Sequence, residues 1–443
     1  MRGSIILRAN YREDLVLPRR DFIRRAAVAA TLLGVPFQRA EQILCTQSVP
    51  LPSRDLLSVD PTRYWAGLRA QWLLAPDHIN LNCGSVGCSP LPVLRAMIDH
   101  ILSAEEYREP AYPWFGYEEN DRLHALRDAL ASYLHVNRDE LALVRNATEA
   151  NNVVVNGLDL KPGDEVLLTD QEHPGGRCPW EQKAARFGVK LNTVVLPKPP
   201  ASAEEIVERF QNALTPKTRV VFFSHITTVT GVILPAKEIC ELARSRGVLT
   251  QVDGAHAIGQ IPLDLHDIGC DFYATSPHKW LMAPKGTGTL YIRDERLKDL
   301  WVNIATANWN NYDMKAYRFS WFGTSNLSVM VGLKAALDFH QQLGPDVVYA
   351  RIHELASQVR ERVSRYPQLS ITNASADRFY GGLVTFEPNQ AKGKLDLKPV
   401  MDQCASRNIR IAGGPDHMRI ATHIFTQPAE LDAFYAALDA GLA

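Results

Sequence analysis

Seven short, nearly continuous apolar runs alternate with longer amphipathic stretches from about residue 120 onward. They are LALV (141–144), EVLLTD (165–170), LNTVVL (191–196), RVVFFSHI (219–226), VLTQVDG (248–254), DFYATS (271–276) and GTLYIR (288–293). Runs this short and this apolar predict strands buried on both faces of a mainly parallel sheet. Between them, DRLHALRDALASYL (121–134), AEEIVERFQNAL (203–214) and AKEICELARSRG (236–247) repeat apolar residues at helical spacing. Asn120 is placed to cap the first, and another helix opens near Ala147. The alternation predicts an α/β architecture with helices on both faces. From about 326 the pattern changes to one helix, VGLKAALDFHQQL (331–343), and short strands at GLVTF (382–386), NIRIA (408–412) and MRIAT (418–422). That remainder predicts a smaller C-terminal α/β domain.

The N-terminus is of another kind. Arg19-Arg20-Asp21-Phe22-Ile23 precedes an uncharged run of 12 residues, Ala26 to Phe37. Such a run fits a signal segment and is too short to cross a bilayer of about 30 Å. RR-x-F-I is similar to a twin-arginine export signal, which implies a periplasmic address and the twin-arginine machinery as a partner, without a stable membrane anchor. The alternatives are an amphipathic N-terminal helix and a cytoplasmic protein. Residues 38–60 carry proline, serine and mixed charge and read as a linker. The chain then divides into 1–45 (signal and linker), 46–90 (N-terminal segment), 91–325 (large domain) and 326–443 (small domain).

Composition adds little. An apolar fraction of 46% with 22% charged residues fits a globular protein with a full core. A net charge of −1 gives no footprint for nucleic acid or anionic lipid. The seven cysteines contain no CxxC pair, hence no zinc signature. Cys83 and Cys88 flank a glycine-rich turn, and whether they pair stays open.

Polar residues with chemical capacity collect where the strands end, which is where open α/β sheets bind ligands. His173 follows EVLLTD, Ser224 and His225 end RVVFF, Asp253 ends VLTQV, and Ser276, His278 and Lys279 follow DFYAT. Asp253 lies in VDGAH with His256, and Lys279 lies 26 residues later in SPHKW. An acid and an amine so placed suit the two ends of an aromatic heterocycle. Asn146-Ala147-Thr148-Glu149 opens a helix after a strand, a natural anion site. By themselves NATE is also a sound helix start, DGAH a tight turn, and His173 a loop histidine before Pro174.

The VDGAH-to-SPHKW segment resembles the signature of the class V aminotransferases, fold-type I enzymes that use pyridoxal 5'-phosphate (PLP). The resemblance implies a large domain with a mainly parallel seven-stranded sheet and a smaller C-terminal α/β domain. It further implies that Lys279 binds the cofactor covalently and that Asp253 keeps the pyridine nitrogen protonated, so that the ring acts as an electron sink. His173 matches the position that stacks on the ring and relays protons. Ala147, Thr148, Ser276 and His278 match the phosphate grip, and His256 the position near the phenolic oxygen and the lysine. Ser224-His225 with the following TVTG resembles the S-H-x-x-x-x-T-G strand end, where His225 or a neighbour contacts the phenolic side. Arg419 in MRIATHIF resembles the arginine that forks onto the substrate α-carboxylate, with alanine where serine is usual. Phe322-Gly323-Thr324-Ser325 resembles the segment by which a neighbouring subunit reaches the phosphate, so Thr324 implies a homodimer. Asn82-Cys83-Gly84-Ser85-Val86-Gly87 is similar to the L-N-x-G-S-x-G turn of the isopenicillin N epimerase-like branch, which lines the substrate side.

An amino-acid or peptide-linked amine substrate follows from these features. The loop before Arg419 reads IAGGPDH and lacks the cysteine that a desulfurase needs. An exported PLP enzyme with the epimerase-like turn resembles the enzymes that tailor the glutamyl side chain of pyoverdine-type siderophores, and that is the favoured expectation. The alternatives are an epimerase or aminotransferase on a small amino acid or peptide, and a carbon–sulfur lyase. A metal hydrolase built on Asp253, His256, His173 and His278 would leave Lys279 and the NATEA helix start without a purpose.

Overall fold

The computed structural model describes residues 49–106, 122–307, 309–373 and 376–443. Asn120 and the Arg19-Arg20 pattern lie outside the described residues. Seven strands form the central sheet: β1 (Leu141–Val144), β2 (Glu165–Thr169), β3 (Lys190–Val194), β4 (Thr218–Ser224), β5 (Leu249–Asp253), β6 (Phe272–Thr275) and β7 (Gly288–Ile292). Their order is β1-β7-β6-β5-β4-β2-β3. All neighbours are parallel except β7, which runs antiparallel to β1 and to β6.

Side chains alternate across this sheet, and both faces are filled. Leu143, Leu167, Val221, Phe223, Val252 and Tyr273 enter one core. Their chain neighbours Ala142, Val144, Val166, Leu168, Phe222 and Ala274 enter another. Burial on both sides explains why the strands read as continuous apolar runs. Adjacent Phe222 and Phe223 face opposite cores and are both 0% exposed. The second core is covered by α1 (Ala147–Gly157) and by Trp180 of α2 (Pro174–Phe187). The first is covered by helices that include α3 (Ala236–Ser245) and α4 (Ser328–Leu343).

The smaller C-terminal domain holds an antiparallel sheet of β8 (Leu369–Ile371), β9 (Leu383–Pro388), β10 (Ala412–Gly413) and β11 (Met418–Ala421), ordered β10-β11-β9-β8. Here the expected strand NIRIA divides. Ile409–Arg410 pairs in parallel with Ile79–Asn80 from the N-terminal segment, while Ala412–Gly413 pairs with β11. One run of alternating residues thus serves two sheets and ties residues 79–82 to this domain. The expected linker is partly helical, with one turn at Leu56–Val59. The six described cysteines are free, Cys83 and Cys88 among them. No helix of the described residues is long and apolar enough to cross a membrane.

Candidate active site

Parallel register carries the ends of β4, β5 and β6 to one edge, with Ser224 beside Asp253 and Asp253 beside Ala274. Helix α1 begins there. Asn146 caps it by accepting from the Glu149 amide at 2.9 Å, and the Ala147 amide donates to Ser276 Oγ at 3.0 Å. The Thr148 amide and hydroxyl remain as donors at the positive end of the helix, beside the Ser276 hydroxyl. A Cβ on Gly175 would lie 2.4 Å from Thr148 Oγ1, so a larger residue there would displace the Thr148 hydroxyl. These residues form a small cradle of donors suited to a phosphate. His278 is less direct: its Nδ1 lies 3.4 Å from the Thr287 carbonyl. With a proton on Nδ1, the other nitrogen donates to an anion only in the imidazolium form.

Asp253 is 5% exposed. Its Oδ2 accepts from Asn151 Nδ2 at 2.8 Å and its Oδ1 from the Ala255 amide at 2.9 Å. Asn151 is itself oriented by Gln251 Nε2, which donates to Asn151 Oδ1 at 3.0 Å. The carboxylate is therefore fixed in direction as well as position. Asn151, one turn into α1, is a site residue that motif reasoning missed.

Lys279 is buried, and burial lowers its amine to about 8, with Asp253 opposing and Arg419 adding to the shift. Its Nζ lies 3.1 Å from His256 Nε2, and the Trp280 indole donates to His256 Nδ1 at 3.2 Å. The Asn82–Gly87 turn packs directly on this group. The Gly87 amide donates to the His278 carbonyl at 3.0 Å, and a Cβ on Gly87 would lie 2.1 Å from the Lys279 carbonyl oxygen.

His173 caps α2: its Nδ1 accepts from the Gly175 amide at 2.9 Å. In the neutral ring Nε2 then carries the proton, so His173 presents a donor. Burial lowers its pKa, as does the Lys279 charge. Behind it, Glu172 is fully enclosed, accepting from Ser224 Oγ at 2.6 Å and Thr169 Oγ1 at 2.5 Å, and burial pushes its carboxyl up to about 7.

His225 is a correction. Its ring turns away from Lys279, bonds Tyr273 Oη through Nδ1 at 2.7 Å, and lines a separate cavity with Lys237, Pro262 and Tyr349. Burial holds it down to about 4. The period of two in a strand explains this: Ser224 shares the face of Phe222, and His225 shares that of Phe223. The residue of that loop that meets Arg419 is Thr228, whose Oγ1 accepts from Arg419 Nη1 at 2.7 Å.

Arg419, on β11, spreads its fork between the Thr228 loop and the Asn82–Ser85 turn. Nη2 donates to Ser85 Oγ at 2.7 Å and Asn82 Oδ1 at 3.3 Å, and Ser85 Oγ donates to Asn82 Oδ1 at 2.9 Å. The structure thus gathers Arg419, Asn82 and Ser85. Thr324 is exposed in the loop after Phe322 and makes no hydrogen bond within the described residues.

The donor set fits PLP: a helix N-terminus with Thr148 and Ser276 for the phosphate, a buried oriented carboxylate for the ring nitrogen, and a buried low-pKa amine between them. Fold and site together define a fold-type I PLP enzyme. The chain belongs to the class V aminotransferase family, whose family model, "Aminotransferase class-V", matches residues 89–430. It is similar to isopenicillin N epimerase of Streptomyces clavuligerus, 33% identical over 396 residues, 85% of this chain and 98% of the relative. A probable cysteine desulfurase of Halalkalibacterium halodurans is 28% identical over 385 residues, 82% of this chain and 92% of that one. Among solved structures, a lysine-to-alanine variant of C-DES with glycine covalently linked to its PLP cofactor aligns with a TM-score of 0.72 and 27% identity, covering 84% of this chain and 98% of that one. The protein is a PLP-dependent enzyme of this family.

Proposed function

We propose that the enzyme removes the Cα proton from the amino-acid end of a substrate and carries out epimerase- or transaminase-type chemistry. The observation that carries this is the convergence of the buried Lys279 amine, its pKa lowered in part by Arg419, with an Arg419 fork held by Thr228 and Ser85. Bound PLP supplies an electron sink conjugated to the substrate amine. The chain's own residues do the rest. Arg419 binds the α-carboxylate through its two terminal nitrogens, Asn82 and Ser85 brace the fork, and Lys279 accepts the proton from Cα. His173 offers an N–H on the ring side, and Asp253 holds the proton on the ring nitrogen. A persulfide route has no support, because the Gly414–His417 turn carries no cysteine and Cys404 is buried, with its thiol pushed up to about 11 by burial.

Identity of 33% along 98% of isopenicillin N epimerase supports the epimerase side of this reading. Incubation with candidate amino acids and N-terminal or side-chain-linked peptides in deuterated water tests it. Deuterium should enter at Cα, with inversion for an epimerase or amine transfer to an added keto acid for a transaminase. Substrate turnover without Cα exchange would overturn it.

The finer reading is periplasmic tailoring of the glutamyl end of a pyoverdine-type siderophore by a homodimer in which Thr324 reaches the neighbouring phosphate. Its support is the sequence pattern at Arg19-Arg20 and the epimerase-like turn. Replacing both arginines by lysine keeps the charge but not the guanidinium fork. The variant should accumulate in the cytoplasm, folded and carrying PLP, while the wild type fractionates with the periplasm. Wild-type protein found wholly in the cytoplasm with an unprocessed N-terminus would remove the siderophore reading.

A further inference from the structure

We infer that Trp280 is a positioning residue: its indole N–H fixes His256 in the Nε2–H tautomer, so that His256 offers Nζ of Lys279 a donor rather than an acceptor. This deepens the proposed function and rests on Lys279 being its reactive amine.

The argument is one of hydrogen-bond inventory. An indole N–H can only donate, and a neutral imidazole has one donor nitrogen and one acceptor nitrogen. Trp280 Nε1 donates to His256 Nδ1 at 3.2 Å, so Nδ1 carries a lone pair and Nε2 the proton. The atom 3.1 Å from that N–H is Lys279 Nζ. An ammonium there would need a second lone pair on the ring, which only an imidazolate has. The lysine must therefore accept, and an amine accepts only when neutral. The histidine thus selects the nucleophilic form of the lysine directly.

Trp280 is held well enough to impose this. It is 0% exposed. Its ring stacks on His423 with centroids 5.7 Å apart and planes at 21°. His423 Nε2 lies 3.0 Å from the Trp280 carbonyl, and His423 Nδ1 accepts from the Ile424 amide at 2.9 Å, so the stacking partner is locked too. On another side of the indole lies Gly382, where a Cβ would sit 2.4 Å from Cζ3. Gln260 closes the loop, donating to the His256 carbonyl at 2.6 Å and accepting from the Gly382 amide at 2.7 Å.

The surrounding charges do not set this orientation. Burial and Arg419 favour the neutral lysine, Asp253 favours the ammonium, and His173, His256 and His278 would each repel an ammonium if protonated. Burial, foremost, and the Lys279 charge hold His256 well below the usual imidazole range, so its neutral ring is the relevant form. Removing the indole N–H frees Nδ1 to take the proton and Nε2 to accept from an ammonium.

Two measurements on the full-length protein test this. In ¹⁵N-histidine-labelled wild type, with PLP and after its removal, the His256 ring should show a protonated Nε2 and a bare Nδ1. A proton on Nδ1 overturns the proposal, whatever any variant does. In Trp280→Phe, stripped of PLP, the pH midpoint for acylation of Lys279, read by mass spectrometry, should rise by about one unit. That is roughly tenfold less free amine at pH 7. An unmoved midpoint in a folded variant also overturns it, and if the variant does not fold, the wild-type spectrum decides. A protein that never takes up PLP would sink the proposed function instead, since both readouts are available without the cofactor.

Discussion

Lys279→Ala should lose turnover by on the order of 10³-fold or more, the scale seen when a covalent nucleophile is deleted, and should lose the visible band of lysine-linked PLP. It should remain folded and keep part of its PLP. Among the described residues the other buried lysine, Lys183, is committed to the Val155 and Leu158 carbonyls at the end of α1. The cradle at Ala147, Thr148 and Ser276 is untouched, so noncovalent cofactor should survive gel filtration in part. The pH dependence follows from the same group. Only the neutral amine attacks a carbonyl, and Lys279 titrates at about 8 instead of the usual 10.5. Its folded pKa is depressed, so the reactive form is present above about 8 and is lost as pH falls through that value. Recapture of PLP by stripped wild type should therefore slow about tenfold per unit below pH 8 and level off above it, as stopped-flow absorbance would show. A colourless wild type with full turnover would end the PLP reading.

How much of this was legible depended on what each signal encodes. The seven strands were readable because burial on both faces leaves no polar alternation to confuse the pattern. Asp253, Lys279, Arg419 and the Asn82–Ser85 turn could be singled out because each sits in a stretch that resembles a family motif. Asn151, Thr228, Glu172 and Trp280 could not: each touches another side chain of the site, and although Thr228 lies in TVTG and Trp280 in SPHKW, neither stretch gives them a role. Strand parity offered a signal that went unused: counting from Asp253 across the register to Ser224 puts His225 on the far face. The helix Pro345–Ser364 is hard to read in the sequence although Ile352, Leu355, Ala356, Val359 and Val363 form a buried stripe. The arginines and glutamates between them mask its apolar fraction. The splitting of NIRIA could not be foreseen, since it depends on Ile79–Asn80, more than 300 residues away.

Asp253→Asn should lower kcat by on the order of 10²–10³-fold at saturating PLP, with a smaller change in KM. An amide cannot hold the proton on the ring nitrogen, so the electrostatic contribution of an ionised partner disappears while the shape is kept. Arg419, the proposed carboxylate site, is unchanged, since its bonds to Thr228 and Ser85 do not involve Asp253. The variant should also be less stable. Both carboxylate oxygens face N–H donors, from Asn151 and from the Ala255 amide. A flip of Asn151 to offer its oxygen would require Gln251 to flip too, turning the Gln251 oxygen onto the Asn151 carbonyl that Nε2 now faces at 3.4 Å. Whichever way the new amide turns, one N–H meets another, an unsatisfied buried contact costing roughly 1–3 kcal/mol. Chemical denaturation should show that loss, and adding Asn151→Asp should recover stability by restoring an acceptor opposite the amide without recovering kcat. A saturated Asp253→Asn enzyme with near-normal kcat would mean that the acid on the ring nitrogen is some other residue, and recovery of kcat in the double variant would mean that Asp253 acts on the fold rather than on the ring.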